Sequence, residues 1–180
     1  MERTTAIPCP VRRSAVRQVP AASAWPVTDG VVVLVPPGPG DRGALVAGRD
    51  AESQRWLGSG DLDPVACVRV GAALVGWVDY DTERDWLGPH EVNVGYNVFP
   101  AHRRRGYATR AVSLLLDVLR RSTDYERANL AIDVANVASL GVARALGVSL
   151  LDRVLDATGA VVAVHFGIDV GGPRPDLPGL

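Results

Sequence analysis

The sequence predicts an α/β domain with a mixed central sheet of about six to seven strands, flanked by helices. Three observations carry this. The 180 residues are 47% apolar and 22% charged, the balance of a single soluble domain with a real core. Alternating apolar–polar runs recur along the chain, interleaved with runs of helical period. No internal repeat is visible, and no stretch approaches the roughly 20 apolar residues of a membrane span.

Taken in order, residues 1–28 read as an irregular arm, or as the product of a start codon placed too far upstream. Pro8, Pro10 and Pro20 interrupt the arm, and it lacks the continuous apolar core of a secretory signal. "VVVLV" at 31–35 is a buried-strand run that "PPGPG" ends, and Asp41 is placed to cap a helix over about 42–57. Residues 58–64 are a loop. "VACVRV" (65–70) and "ALVGWVDY" (73–80) flank Gly71-Ala72 as a hairpin. A polar connection (81–90) leads to "EVNVGYNV" (91–98). There Val92, Val94, Tyr96 and Val98 share one face, and Glu91, Asn93, Gly95 and Asn97 the other.

Pro100 stops that strand. From Tyr107 to about Arg121, Ala108, Ala111, Val112, Leu115, Val118 and Leu119 fall on one face of a helix. Arg120 and Arg121 sit where its dipole favours cations. "ANLAIDV" (128–134) alternates again, with Leu130, Ile132 and Val134 inward. A short helix over about 137–146 ends at Gly147, a left-handed cap, and a second hairpin turns at Thr158-Gly159. Residues 171–180 read as a disordered tail, so the folded domain spans 29–170.

Composition removes several functions. The 19 basic residues are all arginine, which excludes a lysine-dependent phosphate loop and a pyridoxal Schiff base. A net charge of −1 supplies no global field toward nucleic acid or anionic membrane. Cys9 and Cys67 lie far apart with no metal-ligand spacing, so no metal is expected and a cytoplasmic location fits best. "VACVRV" reads Cys67 as a buried strand residue.

"HRRRGYA" (102–108) lies between a strand end and a helix start. The first amides of a helix lack intrahelical acceptors and the dipole is positive there, which makes an anion site. Gly106 lets backbone approach the anion without a Cβ, and neighbouring arginines add charge. The geometry suits a pyrophosphate better than a long polyanion. The alternative is a capped surface turn with solvated arginines.

In this context the chain resembles the GNAT acyl-CoA-dependent N-acetyltransferases, whose cofactor loop has the form Q/R-x-x-G-x-G/A. Arg103, Gly106 and Ala108 fill those places. "DVANVAS" (133–139) followed by "LGVARALGV" is similar to a segment of the ribosomal-protein N-acetyltransferase-like branch. The resemblance covers about residues 30–168. It implies a sheet splayed between the fourth and fifth strands, with coenzyme A in the gap. It also implies that Asn97, Val98 and Phe99, then Arg103, Arg104, Arg105, Gly106, Tyr107, Ala108 and Thr109, together with Asn136, hold acetyl-CoA. Asn136 reads equally as a helix N-cap.

The implied activity is acetyl transfer to a primary amine, on a protein N-terminus or a small molecule, by direct attack in a ternary complex. The Val98 amide would serve the oxyanion. Relatives carry a glutamate where this chain has Asn93, which is kept in the expected catalytic set with Glu91, Tyr96 and Ser139; Glu91, two residues earlier on the same face, is the expected base through water, and its other reading is a solvated strand start. The tyrosine that relatives place in the second motif is Ala143 here, leaving Ser139, Tyr96 or water as proton donor, with Tyr96 alternatively in the core. His90, His102 and His165 are isolated. Only residues 58–64 separate the first helix from the second strand, where relatives have a further helix. The acceptor pocket is therefore expected to be open, or completed by the arm or by a second subunit of a homodimer, with Trp56, Trp77, Trp86 and Tyr80 as lining aromatics. The competing class is an acyl-CoA-binding sensor with weak turnover. A nucleic-acid binder using "HRRR" is opposed by the near-neutral charge and by the lack of interleaved exposed aromatics.

Overall fold

The computed structural model describes residues 17–58 and 63–171. Eight strands form one sheet in the order β1-β2-β3-β4-β5-β6-β8-β7. They are β1 (Val27–Thr28), β2 (Val33–Val35), β3 (Ala66–Val70), β4 (Ala73–Asp81), β5 (Glu91–Val98), β6 (Arg127–Asp133), β7 (Ser149–Leu155) and β8 (Val161–Asp169). β5 and β6 run parallel, and the other neighbouring pairs are antiparallel. Among the described residues no helix is long and apolar enough to cross a membrane.

One strand more than expected comes from the segment read as an irregular arm. Val27 pairs with Leu34 and Thr28 with Val33. The Asp29 carboxylate accepts from the amides of Val31 and Val32 and so closes the turn between the two strands. Residues 17–18 are tied down as well: the Gln18 amide donates to the Tyr125 hydroxyl at 2.9 Å and Arg17 pairs with Asp79 at 2.8 Å. Residues 1–16 and 172–180, where the rest of the arm and the expected tail fall, lie outside the described residues.

The single helix expected over 42–57 is two, α1 (Asp41–Ala47) and α2 (Ala51–Leu57). Asp50 starts the second, its carboxylate accepting from the Ser53 amide at 2.8 Å. Gly48, at the break, lies under the Phe99 ring, where a Cβ would collide. The helix thought missing before the second expected strand is therefore present as α2. Asp41 does not cap with its side chain. It is the first residue of α1, and its carboxylate accepts from the Gly38 amide at 2.9 Å and pairs with Arg69.

α3 (Tyr107–Ser122) buries Ala111, Val112, Leu115, Val118 and Leu119, all of the predicted stripe except the half-buried Ala108, together with Leu114 and Leu116. This face packs into the main core with Val92 and Val94 of β5 and Leu130 and Ile132 of β6. Burying a leucine such as Leu115 contributes about 1.5–3 kcal/mol relative to exposure. Val134, expected inward, is exposed beyond the end of β6. α4 (Val137–Leu146) ends at Gly147, which adopts the left-handed conformation (φ 68°) that a residue with a Cβ disfavours. A smaller cluster of Leu45, Cys67, Trp77 and Phe99 fills the opposite face of the sheet under α1.

The feature that positions the site is the β5–β6 junction. Pairing covers only Glu91↔Arg127, Val92↔Ala128 and Asn93↔Asn129. Beyond Asn93, β5 stays with β4 as far as Val98, while β6 stays with β8 as far as Asp133. A V-shaped gap opens between them.

Candidate active site

The edge of β5 facing this gap carries free backbone groups. The Phe99 amide donates to the Val75 carbonyl on the β4 side at 2.9 Å. Backbone direction alternates along a strand, so Asn97 also turns its N–H and C=O toward β4, and Tyr96 and Val98 turn theirs into the gap. The Val98 carbonyl is taken by Arg103 Nε at 3.0 Å. Among the described residues no acceptor is seen for the Tyr96 and Val98 amides. Asn97 meets the gap through its side chain instead: Oδ1 accepts from Ser53 Oγ at 3.0 Å, while Nδ2 is buried without a partner.

The loop after β5 makes a short 3-10 turn over Pro100–His102 and then two left-handed residues, Arg104 (φ 64°) and Gly106 (φ 77°). They aim the chain into α3, and nothing lies within 4 Å of where a Gly106 Cβ would stand. The amides of Tyr107, Ala108 and Thr109 open the helix without intrahelical acceptors. Arg103 does not point at this anion site. Its guanidinium forks onto Asp50 with two 2.8 Å bonds and reaches Glu52 at 2.7 Å and Ser53 Oγ at 3.0 Å. Arg105 turns back to the Ala101 carbonyl. Of the three arginines, Arg104 is the one that lines the cleft and forms no ion pair among the described residues.

The far wall is α4. The Asn136 side chain accepts from the Ser139 amide at 3.0 Å, so it is an N-cap that also lines the cleft. Ser139 and Tyr96 line the same cleft, and the Tyr96 hydroxyl is buried without a hydrogen-bond partner among the described residues. Burial pushes the Tyr96 hydroxyl above the ordinary phenol range, and the neighbouring Ser139 hydroxyl opposes that rise in part. Two of the four expected catalytic side chains are thus neighbours. The cleft between β5, the loop, α2 and α4 measures about 590 Å³. It gathers Tyr96, Asn97, Val98, Arg103, Arg104, Gly106, Tyr107, Ala108, Thr109, Asn136 and Ser139. Phe99 does not join them: its ring is buried in the smaller core cluster and its amide is used by β4.

A second cleft of about 570 Å³ lies over the other end of β5, lined by Asn93, Val94 and Gly95. Trp56, Trp77, Trp86 and Tyr80, the aromatics expected at an acceptor pocket, all line it, with Asp63, Asp79 and Asp81. Asn93 Nδ2 donates to Asp81 at 3.0 Å. Asp79 is pushed above the usual carboxylate range by burial, against the Arg17 guanidinium, which pulls it down. Glu91 lines neither cleft. It sits at the closed end of the V, accepting from Arg127 Nη1 at 3.0 Å, Asn129 Nδ2 at 3.2 Å and the Gly88 amide at 3.3 Å. The expectation of Glu91 as base is corrected accordingly: its oxygens are used to close the β5–β6 junction.

Sequence reasoning missed the reach of α2 into the first cleft, where Ser53, 44 positions from Asn97 along the chain, bonds to it and Trp56 and Leu57 join the lining. The Asp50–x–x–Ser53 cap was legible, but nothing local links it to residue 103. Asp79 was also missed, because it reads as the polar partner in an alternating strand. Cys67 is buried, its thiol pushed up to about 12 by burial and by nearby Asp41.

The first cleft fits an acyl-CoA. A helix start with free amides beside Arg104 suits the phosphates, and a bare strand edge suits an amide-bearing arm. Among the described residues no group of three or more His, Cys, Asp or Glu side chains stands close enough to hold a metal ion.

Comparison with known proteins agrees with this geometry. The family description "Acetyltransferase (GNAT) domain" matches residues 44–149. No curated protein sequence matches the chain. Among solved structures, a probable GNAT-family acetyltransferase from Chromobacterium violaceum is 22% identical, with a TM-score of 0.64 over 94% of this chain and 96% of its own. RimL, a ribosomal L7/L12 α-N-protein acetyltransferase in complex with coenzyme A, is 16% identical, with a TM-score of 0.63 over 80% and 96%. A spermidine N-acetyltransferase from Vibrio cholerae, in complex with CoA and spermine, is 11% identical, with a TM-score of 0.64 over 78% and 96%.

Proposed function

The chain belongs to the GNAT acetyltransferase family, and we propose that it moves the acetyl group of acetyl-CoA to a primary amine by direct attack, with both substrates bound. The observation that carries this reading is the gap beyond Asn93, with the bare Tyr96–Val98 edge on one side and the Gly106–Tyr107 helix start at its mouth. Acetyl-CoA supplies an acyl group already activated as a thioester. The chain supplies position: amides 107–109 and Arg104 for the phosphates, the Tyr96 and Val98 amides and Asn97 for the arm and the acyl oxygen. Tyr96, which lines the first cleft with Ser139, is the proton donor for the leaving sulfur, since Ala143 stands where relatives have their tyrosine and is fully buried.

The acceptor is a peptide N-terminus or a small-molecule amine; the named acceptors of RimL and of the spermidine enzyme span both. A screen of amines with acetyl-CoA, read by release of the coenzyme thiol, tests the function. Turnover of at least one primary amine with intersecting initial-rate lines is expected. A second reading, an acyl-CoA sensor, is favoured by Ala143 and Asn93, which remove both of the relatives' proton-transfer groups. Tight acetyl-CoA binding by calorimetry with no thiol release from any amine would establish that reading instead.

A further inference from the structure

Asp79 of β4 stands directly across from Gly95 of β5 in the strand register. Gly95 has no side chain, and a Cβ there would meet only the Trp77 ring at 3.9 Å, so the space above this pair is open. The next residue, Tyr96, belongs to the first cleft, and Trp56 and Leu57 line both. The two clefts therefore abut beside Asp79 and Gly95.

The carboxylates around the second cleft are not equivalent. Asp81 accepts from Asn93 and from Arg84, and Glu91 is spent at the β5–β6 junction. Asp79 uses Oδ1 alone, toward Arg17 Nη2 at 2.8 Å and the Val65 amide at 3.2 Å. Beyond a weak contact from the Tyr80 amide, which also holds the carboxyl down, no hydrogen bond to Oδ2 is seen among the described residues. The indole N–H of Trp77, a residue 5% exposed that lines the same cleft, is likewise buried without a partner. Aromatic walls beside a half-free carboxylate suit an organic ammonium, whose charge both groups attract.

Resting on the acetyl-transfer reading, we propose that Asp79 is the carboxylate that receives the acceptor's ammonium group in the second cleft and takes its proton. The proton passes from nitrogen to Oδ2, leaving a neutral amine. The nitrogen lone pair forms the C–N bond at the thioester carbonyl as the C–S bond breaks. Tyr96 gives its proton to the departing thiolate and regains one from the nitrogen, and the proton on Asp79 leaves for solvent, so one amide, one thiol and one proton result. The charged and titratable groups around Asp79 are Arg17 from the N-terminal segment, Asp81 and Tyr80 on its own strand, and Asp63 and Arg84 across the cleft. Burial raises its pKa, and Arg17 opposes that rise. Asp79 accepts a proton only while ionised, so the rate must fall as pH drops through its pKa.

The test uses the full chain with acetyl-CoA and three probes: spermidine, tryptamine and a hexapeptide with a free α-amino group. For whichever probe is turned over, Asp79→Asn is expected to lower kcat/KM at pH 7 by about 10²-fold, the lower range for a lost general base. The acidic limb of the pH profile should vanish, and the deficit should close above the amine's own pKa. Acetyl-CoA affinity by calorimetry should stay within about threefold. As a second measurement that leaves Asp79 in place, Arg17→Gln should move the acidic limb to higher pH, because the cation that holds the carboxyl down is gone. Wild-type turnover with both the Asp79→Asn rate and the Arg17→Gln limb unchanged would overturn the assignment of Asp79 alone. Acetyl-CoA binding by the wild-type chain with no turnover of any probe would overturn the acetyl-transfer reading and Asp79's role with it.

Discussion

Arg103 and Asp50 meet fork to fork, Nη1 on Oδ2 and Nη2 on Oδ1, each at 2.8 Å. The arginine of the loop signature is thus a strut between the cofactor loop and the cap of α2. It also holds the Val98 carbonyl. The same fork, with the Ser53 hydroxyl and amide, keeps the Asp50 carboxyl far below the usual range although burial pushes the other way.

Removing the strut should loosen both elements. Arg103→Ala is expected to cost about 1–3 kcal/mol in chemical denaturation, the usual price of stranding a partner of charge-assisted hydrogen bonds. Acetyl-CoA affinity should fall with it, while Arg103→Lys, which cannot fork, should recover little of either. The pH sign follows from the lowered carboxyl. Its stabilisation is fully present above the unfolded value of about 3.9 and is lost as pH falls below that toward the folded value. Asp50→Asn should therefore reduce stability at neutral pH and flatten its decline below pH 4, as followed by thermal unfolding across a pH series.

Gly106 is needed for its backbone. At φ 77° a side chain costs about 1–2 kcal/mol, although open space surrounds the position. Gly106→Ala should lower stability by that amount and weaken acetyl-CoA modestly. Gly106→Trp should abolish binding in calorimetry while cooperative unfolding persists. Unchanged affinity in the tryptophan variant would remove the cofactor from this loop.

Glu91 is placed for architecture. Glu91→Gln is expected to keep turnover and acetyl-CoA affinity near wild type and to cost about 1 kcal/mol of stability, through the weakened Arg127 and Asn129 contacts. A loss of 10-fold or more in kcat with unchanged stability would return it to the chemistry.

Cys67 should take no part in transfer. Its thiol, pushed up to about 12, stays protonated at neutral pH and is buried against Trp77 and Phe99. Native protein should resist alkylation at this position, and Cys67→Ala should retain most activity. An acetylated enzyme with parallel initial-rate lines would contradict this.

Much of the local architecture is written in short-range signals along the chain. The alternation of Val92, Val94, Tyr96 and Val98 placed β5, the apolar stripe of Ala111, Val112, Leu115 and Leu119 placed α3, and Gly106 and Gly147 marked their own left-handed turns. Those signals live in the spacing of neighbours and in the conformations one residue allows. Tertiary structure alone decided which polar groups are spent and which are free. Glu91 and Arg103 look available along the chain, but Arg127 and Asp50, 36 and 53 positions away, consume them. Asp79 looks ordinary until β5 brings Gly95 opposite it and the β3–β4 end and Arg17 occupy only one of its oxygens. A carboxylate's chemistry depends on burial and on partners within a few ångströms, and those distances are set by the packing of strands far apart in the chain.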